Sequence, residues 1–309
     1  MFWLIENNEQ LQTFREKKFK KVFIEPLFSN DNVHPYLRGI VGFYIREINY
    51  RKGFIINVNH SEATSCELDK VLNLIGGFEE IFVRDKKEFL HIVPLKQLSD
   101  IHFISPTDIP DQFPCHDFFY RKYPQISNIG SIIPIVKHYE RCETIFDAIK
   151  HVFTMEKPQH FEFYNNKATN VFYWIESNGL KVDPKLFEEH FGVEKEWTYS
   201  QFNLKTTTTR PSNSFGGINY AALDKKTGCR AAFIPDNDFL LEIDISAYHP
   251  TLAAQLVDFD FGEGDIHQAF ADMYGVDYKK AKELTFKQLY GGVFNEYKDL
   301  EFFKRVEKY

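Results

Sequence analysis

The strongest constraint on the fold is an apolar run that leads directly into helical patterns, between residues 239 and 293. It begins FLLEIDISAYHPTLAAQL, and its mostly apolar first part predicts a strand covered on both faces. Asp244 stands near the end of that strand, where a buried, unpaired carboxylate would cost free energy, so it needs a cation, hydrogen bonds or solvent. A helix N-cap or a turn would also satisfy Asp244, and the strand by itself favours that simpler role.

A second signal comes from the helix predicted after Tyr278. Lys282, Phe286 and Tyr290 recur every four residues and therefore share one helical face, just before a Gly-Gly pair. On a helix that only covers a core, the two aromatic rings pack inward and the lysine stem lies along the surface. On a functional face, the lysine supplies positive charge for phosphates, and the aromatic rings offer flat surfaces to a base and sugar. The pattern alone leaves both interpretations open.

Composition limits the kinds of protein that this chain can be. A chain of 309 residues, 43% of them hydrophobic and 26% charged, predicts a globular protein of about two domains. The net charge of -7 argues against a broad basic surface, so nucleic-acid binding would depend on local patches. Scattered cysteines without a CxxC, no signal-peptide pattern and no long apolar stretch predict a cytoplasmic protein without a membrane span.

The chain as a whole reads as α/β (α+β), in three parts with boundaries at 1–130, 131–200 and 201–309. Strands are predicted in KKVFIEP, GIVGFYIREI, GFIINVNH, EEIFVRD, DIHFIS and QFNLKTTTTR. Helices are predicted in SCELDKVLNLIGG, across IPIVKHYERCETIFDAIKHVF, and in ATNVFYWIESNGL, which Gly179 should end as a C-cap.

Several segments, in order, resemble the family-A DNA polymerases. DISAYHPTLAAQL resembles motif A, GDIHQAFADMYG the segment that follows it, and KKAKELTFKQLYGG motif B. Upstream, TTTTRPSNSFGGINYAAL resembles a segment that contacts primer and template, and IESNGLKVDP the entry to the thumb. The resemblance implies an RNase H-like, exonuclease-type domain at 1–130, a helical connector with a vestigial thumb at 131–200, and a partial palm and fingers at 201–309.

The resemblance also assigns roles to individual residues. It implies that Asp244 and Lys282 are catalytic, and that Asp244 and Ile245 are ligands in a two-Mg²⁺ site. The nucleotide-binding residues that it implies are Ser246, His249, Lys279, Lys282, Phe286 and Tyr290. The DNA-binding residues that it implies are Arg210, Asn219, His267 and Tyr290.

Three departures from the family pattern qualify these roles. His249 stands where the family has the Glu that excludes ribonucleotides, and Tyr278 stands where it has the first phosphate-binding Arg of motif B. No His-Asp-Glu follows Tyr290, so a second polypeptide is expected to carry that palm motif. In the first domain, Glu25 lacks its partner acid, and Glu143 follows Tyr139 at the family's Tyr-x-x-x-Asp spacing, which predicts a degenerate exonuclease-like domain.

The leading hypothesis is a DNA-directed DNA polymerase chain, incomplete or split and phage-encoded, that binds a DNA primer-template and dNTPs. The alternative is a non-catalytic primer-template or replisome-binding module. A third hypothesis, a nuclease built on the first domain, depends on Glu25.

Overall fold

A computed structural model describes residues 2–28, 39–109, 133–206, 210–213, 218–241, 243 and 245–309. The chain forms two compact units, Met1–Phe239 and Leu240–Tyr309. The expected division at 130 and 200 into three parts stays a prediction.

The first unit is organised around a mixed sheet of six strands in the order β1-β4-β3-β2-β5-β6. The strands are β1 Trp3–Ile5, β2 Lys21–Phe28, β3 Ile40–Glu47, β4 Phe54–Asn57, β5 Glu80–Val83 and β6 Leu98–Asp100. Strand β3 runs antiparallel to β2 and β4, whereas the pairs β1·β4, β2·β5 and β5·β6 are parallel. This mixed sheet with helices confirms the predicted α/β class.

Helices cover both faces of that sheet. The helices of the first unit are α1 Asn8–Arg15, α2 Leu68–Ile75, α3 Lys86–Leu90, α4 Ile101–Ile104, α5 Ile135–Ile149, α6 Thr169–Asn178 and α7 Pro184–Phe191. On one face, Phe43 and Ile45 pack with Val71 of α2; on the other, Phe23 and Tyr44 pack with Phe146 of α5. Apolar residues therefore alternate between the two faces along β2 and β3, as strands inside a covered sheet require.

Short two-stranded pairs complete the first unit. Strand β7 Leu180–Lys181 pairs with β8 Trp197–Thr198, and β9 Phe202–Asn203 pairs with β10 Ser212–Asn213, both antiparallel. Short 3-10 segments lie at Pro106–Asp108, Lys150–Thr154, Tyr220–Ala222, Lys225–Thr227 and Cys229–Ala232, and a π-helical turn at Phe163–Ala168 leads into α6.

The second unit is helical in its described residues. It contains α8 Tyr248–Leu256, α9 Ile266–Tyr274, α10 Tyr278–Gly291, a 3-10 turn Asn295–Tyr297 and α11 Glu301–Lys308. An aromatic core holds it together, in which Phe270 of α9 lies against Phe302 and Phe303 of α11. No helix in the described parts of either unit is long and apolar enough to cross a bilayer.

Most predicted elements of the first unit are confirmed, and α6 ends as expected. Gly179 follows α6 with φ 67°, a left-handed conformation, and a Cβ there would lie 2.8 Å from the carbonyl oxygen of Thr198. Both the backbone angle and the close approach therefore require glycine.

Three predicted strands differ in the structure. DIHFIS is wrong as a strand: β6 ends at Asp100, whose side chain accepts from the His102 amide and begins α4. QFNLKTTTTR forms only the short strand β9 within the described residues.

The third difference concerns FLLEIDI. The described residues at 239–241, 243 and 245 form no strand, and their apolar side chains are 59–82% exposed. An apolar run becomes a buried strand only where neighbouring strands supply hydrogen bonds and cover, and none of the described strands does so here.

Candidate functional site

The orientation of α10 answers the question left open by its sequence. Its buried residues are Ala281, Leu284, Thr285 and Gln288, at the spacing of one helical face. Lys282, Phe286 and Tyr290 lie on another face, where Phe286 is 39% exposed and Tyr290 65% exposed. The interpretation in which both aromatic rings pack inward is therefore wrong, and α10 presents a lysine and two aromatic rings to solvent.

The aromatic rings on this face are ordered with respect to each other. The rings of Phe286 and Tyr290 are almost parallel, at 3° and with 6.2 Å between centroids. The imidazole of His249, on α8, meets the Tyr290 ring edge to face at 5.5 Å. The structure thus brings His249 of α8 beside Tyr290 of α10, although His249 lies far from Phe286 and Tyr290 in the sequence.

A second histidine lies beside the other end of the face. The ring of His267, on α9, is buried and lies 6.0 Å from the ring of Tyr278 and 6.5 Å from that of Phe286. Asp265 accepts from the His267 amide at 2.7 Å, which begins α9, and from the Tyr278 hydroxyl at 3.2 Å. These contacts hold α9 and α10 in one arrangement.

The charges around this face affect His267. Burial, followed by the nearby charge of Lys282, lowers the pKa of His267, so its neutral form is favoured. Elsewhere on α10, Glu283 pairs with Lys287 at 2.6 Å and with Lys280 at 3.7 Å. Among the described residues, neither Lys279 nor Lys282 forms an ion pair with a carboxylate, and both are exposed. We use the name α10 face for Lys282, Phe286 and Tyr290 of α10 together with the two histidines beside them, His249 of α8 and His267 of α9.

The predicted metal position is only partly described. Asp244 lies outside the described residues, whereas Ile245 and Ser246 are described and exposed. Ala247, the N-cap of α8, has φ 48°, which is rare for a residue other than glycine. No group of three or more His, Cys, Asp or Glu residues in the described parts of the chain could hold a metal ion. The described residues alone do not make a two-metal site.

The remaining predicted residues lie on the surface of the first unit. Arg210 is exposed next to β10, and its carbonyl oxygen accepts from the Thr206 hydroxyl at 2.8 Å. Asn219 is exposed and precedes the 3-10 turn Tyr220–Ala222. The roles of both residues stay predictions.

Two acids that the sequence analysis identified in the first unit, Glu25 and Glu143, are bound by arginines. Both carboxylate oxygens of Glu25 accept from Arg84. Glu143 accepts from the Tyr44 hydroxyl at 2.7 Å, from Arg46 at 2.8 Å and from the Gly53 amide at 2.8 Å. Two-metal hydrolysis needs several carboxylates that point toward the same metal ions. Glu25 and Glu143 are instead paired with arginines.

Sequence reasoning missed a buried ion network in the first unit. Glu176 of α6 is fully buried and binds Lys87 and His91, and it also accepts from the Phe202 amide at 2.6 Å. Nearby, Asp85 is paired with Lys205 at 3.1 Å. A signal for the network was available: Glu176 is an acid on the inner side of the amphipathic pattern FYWIESNG.

Comparisons with known proteins show similarity of fold. No protein-family model matches the chain, and no curated protein matches it. A solved structure of the POL domain of Pol1 from M. smegmatis, in complex with DNA primer-template and dNTP, has a TM-score of 0.62 at 12% identity. That match covers 99% of this chain and 76% of the other.

Two nucleases match far less well. RNase D from Escherichia coli gives a TM-score of 0.32 at 10% identity, over 57% of this chain and 47% of its own. NrnC from Brucella melitensis with bound Mg²⁺ gives 0.33 at 8% identity, over 56% of this chain and 88% of its own. Scores this low carry no argument, whereas the first match shows that the chain has a fold similar to that of a polymerase domain.

Proposed function

We propose that the chain takes part in template-dependent nucleotidyl transfer as a DNA polymerase of the family-A type, and that the α10 face is its nucleotide-binding surface. The observation that carries this proposal is the outward orientation of Lys282, Phe286 and Tyr290 on one helix, flanked by His249 and His267. A polymerase-like fold over almost the whole chain supports it.

The α10 face suits the separate parts of a nucleoside triphosphate. The exposed ammonium of Lys282, together with Lys279 at the start of the helix, supplies charge for the phosphates. Phe286 and Tyr290 present parallel rings on which a base or sugar can lie. The His249 ring lies edge to face against the Tyr290 ring, and His249 stays a predicted nucleotide contact. Ser246 stays a predicted nucleotide contact.

The metal-binding part of the proposal rests on Asp244 and Ile245, with Mg²⁺ as the predicted ion. Because the described residues do not form a complete site, no catalytic step is assigned to the metal. Further carboxylates from a second polypeptide are part of the proposal. The exposed apolar side chains at 239–241, 243 and 245 support such a partner, because apolar patches of this kind mark interaction surfaces.

Binding of a labelled primer-template, with and without dNTP, tests the proposal on the chain alone. Lys282→Ala should weaken dNTP binding by about 10- to 150-fold, from the loss of a charge-assisted contact of about 1.5–3 kcal/mol. Phe286→Ala should weaken it by roughly 5- to 150-fold, from the loss of about 1–3 kcal/mol of stacking.

Matched controls come from the same unit. Lys308→Ala removes an exposed lysine from α11, and Phe294→Ala removes a ring that is 40% exposed, against 39% for Phe286. Equal losses in the control and test variants, or no dNTP binding by the unmodified chain, would contradict the proposal.

A further experiment separates catalysis from binding alone. Primer extension should require the chain together with the polypeptide that supplies the missing palm motif, and Asp244→Asn should abolish it. DNA binding that Asp244→Asn leaves unchanged, with no extension in any pairing, would instead favour a non-catalytic primer-template module.

A further inference from the structure

Lys205 lies at the centre of a charged cluster that the sequence did not indicate. Its ammonium is 3.1 Å from Asp85 and 3.5 Å from Asp100, and it donates to the Arg84 carbonyl oxygen at 2.5 Å. Two carboxylates and one backbone carbonyl oxygen, at the ends of β5 and β6, therefore bind the ammonium of Lys205, which lies just after β9.

Both acids are already fixed by helix ends. Asp85 accepts from the Glu88 amide at 2.9 Å, at the start of α3, and Asp100 accepts from the His102 amide at 3.0 Å, at the start of α4. Asp100 is buried, and the Lys205 side chain is 21% exposed. Moving these charges out of water is costly, and apolar packing would stabilise the fold as well or better, so a contribution to stability does not by itself account for the cluster.

The arrangement that Lys205 fixes is the hairpin of β9 and β10. Lys205 follows β9 by two positions, and Ser212 pairs across the hairpin with Asn203. The Thr206 hydroxyl donates to the Arg210 carbonyl oxygen, which ties the exposed Arg210 to the residue next to Lys205. The base of the hairpin is also held at the Phe202 amide by the fully buried Glu176, so the hairpin has two anchors.

We propose that Lys205 is a positioning residue that fixes the hairpin of β9 and β10 so that Arg210 can contact the phosphate backbone of a nucleic acid. The inference rests on the proposed function for its ligand. The positioning itself depends only on the contacts of Lys205 within the first unit.

Hydrogen exchange tests the positioning without any ligand. Lys205→Met keeps the aliphatic stem and removes the charge, and it should accelerate amide exchange at 202–206, 210, 212 and 213 by about tenfold or more, and by a larger factor than in strands β1 to β4 of the sheet. Lys205→Arg keeps the charge, and the adjoining cavity of about 390 Å³, lined by Asp85, Asp100 and Ser212, can accept the larger group. Arginine should therefore restore slow exchange, and unchanged exchange in Lys205→Met would overturn the inference.

A double-mutant cycle tests whether Lys205 acts through Arg210. If it does, Lys205→Met and Arg210→Ala should each weaken binding of a labelled DNA primer-template and lower the salt slope by about one. The double variant should then bind no worse than Arg210→Ala alone, whereas additive losses would overturn the inference. No DNA binding by the unmodified chain would overturn both the proposed function and the role of Arg210. Hydrogen exchange would still decide whether Lys205 holds the hairpin.

Discussion

Replacing Glu176 with glutamine measures the strength of the buried network beneath the hairpin. Glu176 is 0% exposed, and its Oε1 accepts from Lys87 Nζ at 2.7 Å and from the Phe202 amide at 2.6 Å. His91 Nε2 lies 3.0 Å from the second carboxylate oxygen. Glutamine keeps the shape of the side chain, so packing is preserved, but the buried Lys87 ammonium loses this negative charge. Breaking a buried pair in this way costs about 3–5 kcal/mol.

Differential scanning calorimetry measures this loss of stability as a decrease in the melting temperature, Tm. For a domain of 150–250 residues, each kcal/mol lowers Tm by about 2–4 °C. The first unit, Met1–Phe239, falls in that range. The expected decrease is therefore roughly 6–20 °C.

The matched control is Glu189→Gln, an exposed position on α7 of the same unit. It replaces a solvent-exposed carboxylate with a neutral amide and should change the free energy of unfolding by less than about 0.5 kcal/mol. If Glu176→Gln and Glu189→Gln melt together, the carboxylate charge contributes nothing to the fold, and the reasoning about the buried network is refuted.

Three further predictions use other contacts. Lys282→Met removes a positive charge that lowers the pKa of His267, so the pKa measured by NMR titration should rise. An unchanged pKa would show that the Lys282 ammonium does not act on His267. Because the pKa of His267 is lowered in the folded state, the unfolded chain binds a proton more readily, and the free energy of unfolding should fall as the pH drops below the ordinary histidine pKa. His267→Gln should make the free energy of unfolding less dependent on pH in that range. Glu25→Gln should cost about 1–3 kcal/mol in denaturant unfolding by leaving Arg84 without this carboxylate, and metal-dependent nuclease activity that the substitution abolishes would contradict that structural role.

Prediction from sequence succeeded where the apolar pattern and the capping residues of an element match its surroundings in the fold. Strands β2 and β3 are covered on both faces, and both were predicted from apolar runs. The end of α6 at Gly179 follows from a conformation that glycine alone adopts easily. The spacing of Lys282, Phe286 and Tyr290 correctly predicted that they share a face.

Features that depend on distant partners could not be predicted in this way. FLLEIDI has the composition of a buried strand, yet burial depends on neighbouring strands that periodicity cannot reveal. The Lys205 cluster joins residues more than a hundred positions apart, so no local pattern marks it. Whether Phe286 faces a core or solvent was likewise decided by the packing of Ala281, Leu284 and Gln288.

Photo-crosslinking of an azido-substituted dATP in the presence of primer-template, mapped by mass spectrometry, tests most directly whether the α10 face binds nucleotide. The predicted result is labelling within Tyr278–Gly291, concentrated at Phe286 and Tyr290, that unlabelled dATP suppresses and Lys282→Ala reduces. Suppressible labelling confined to the first unit, or labelling of α10 that dATP does not suppress, would contradict the assignment of nucleotide binding to this helix.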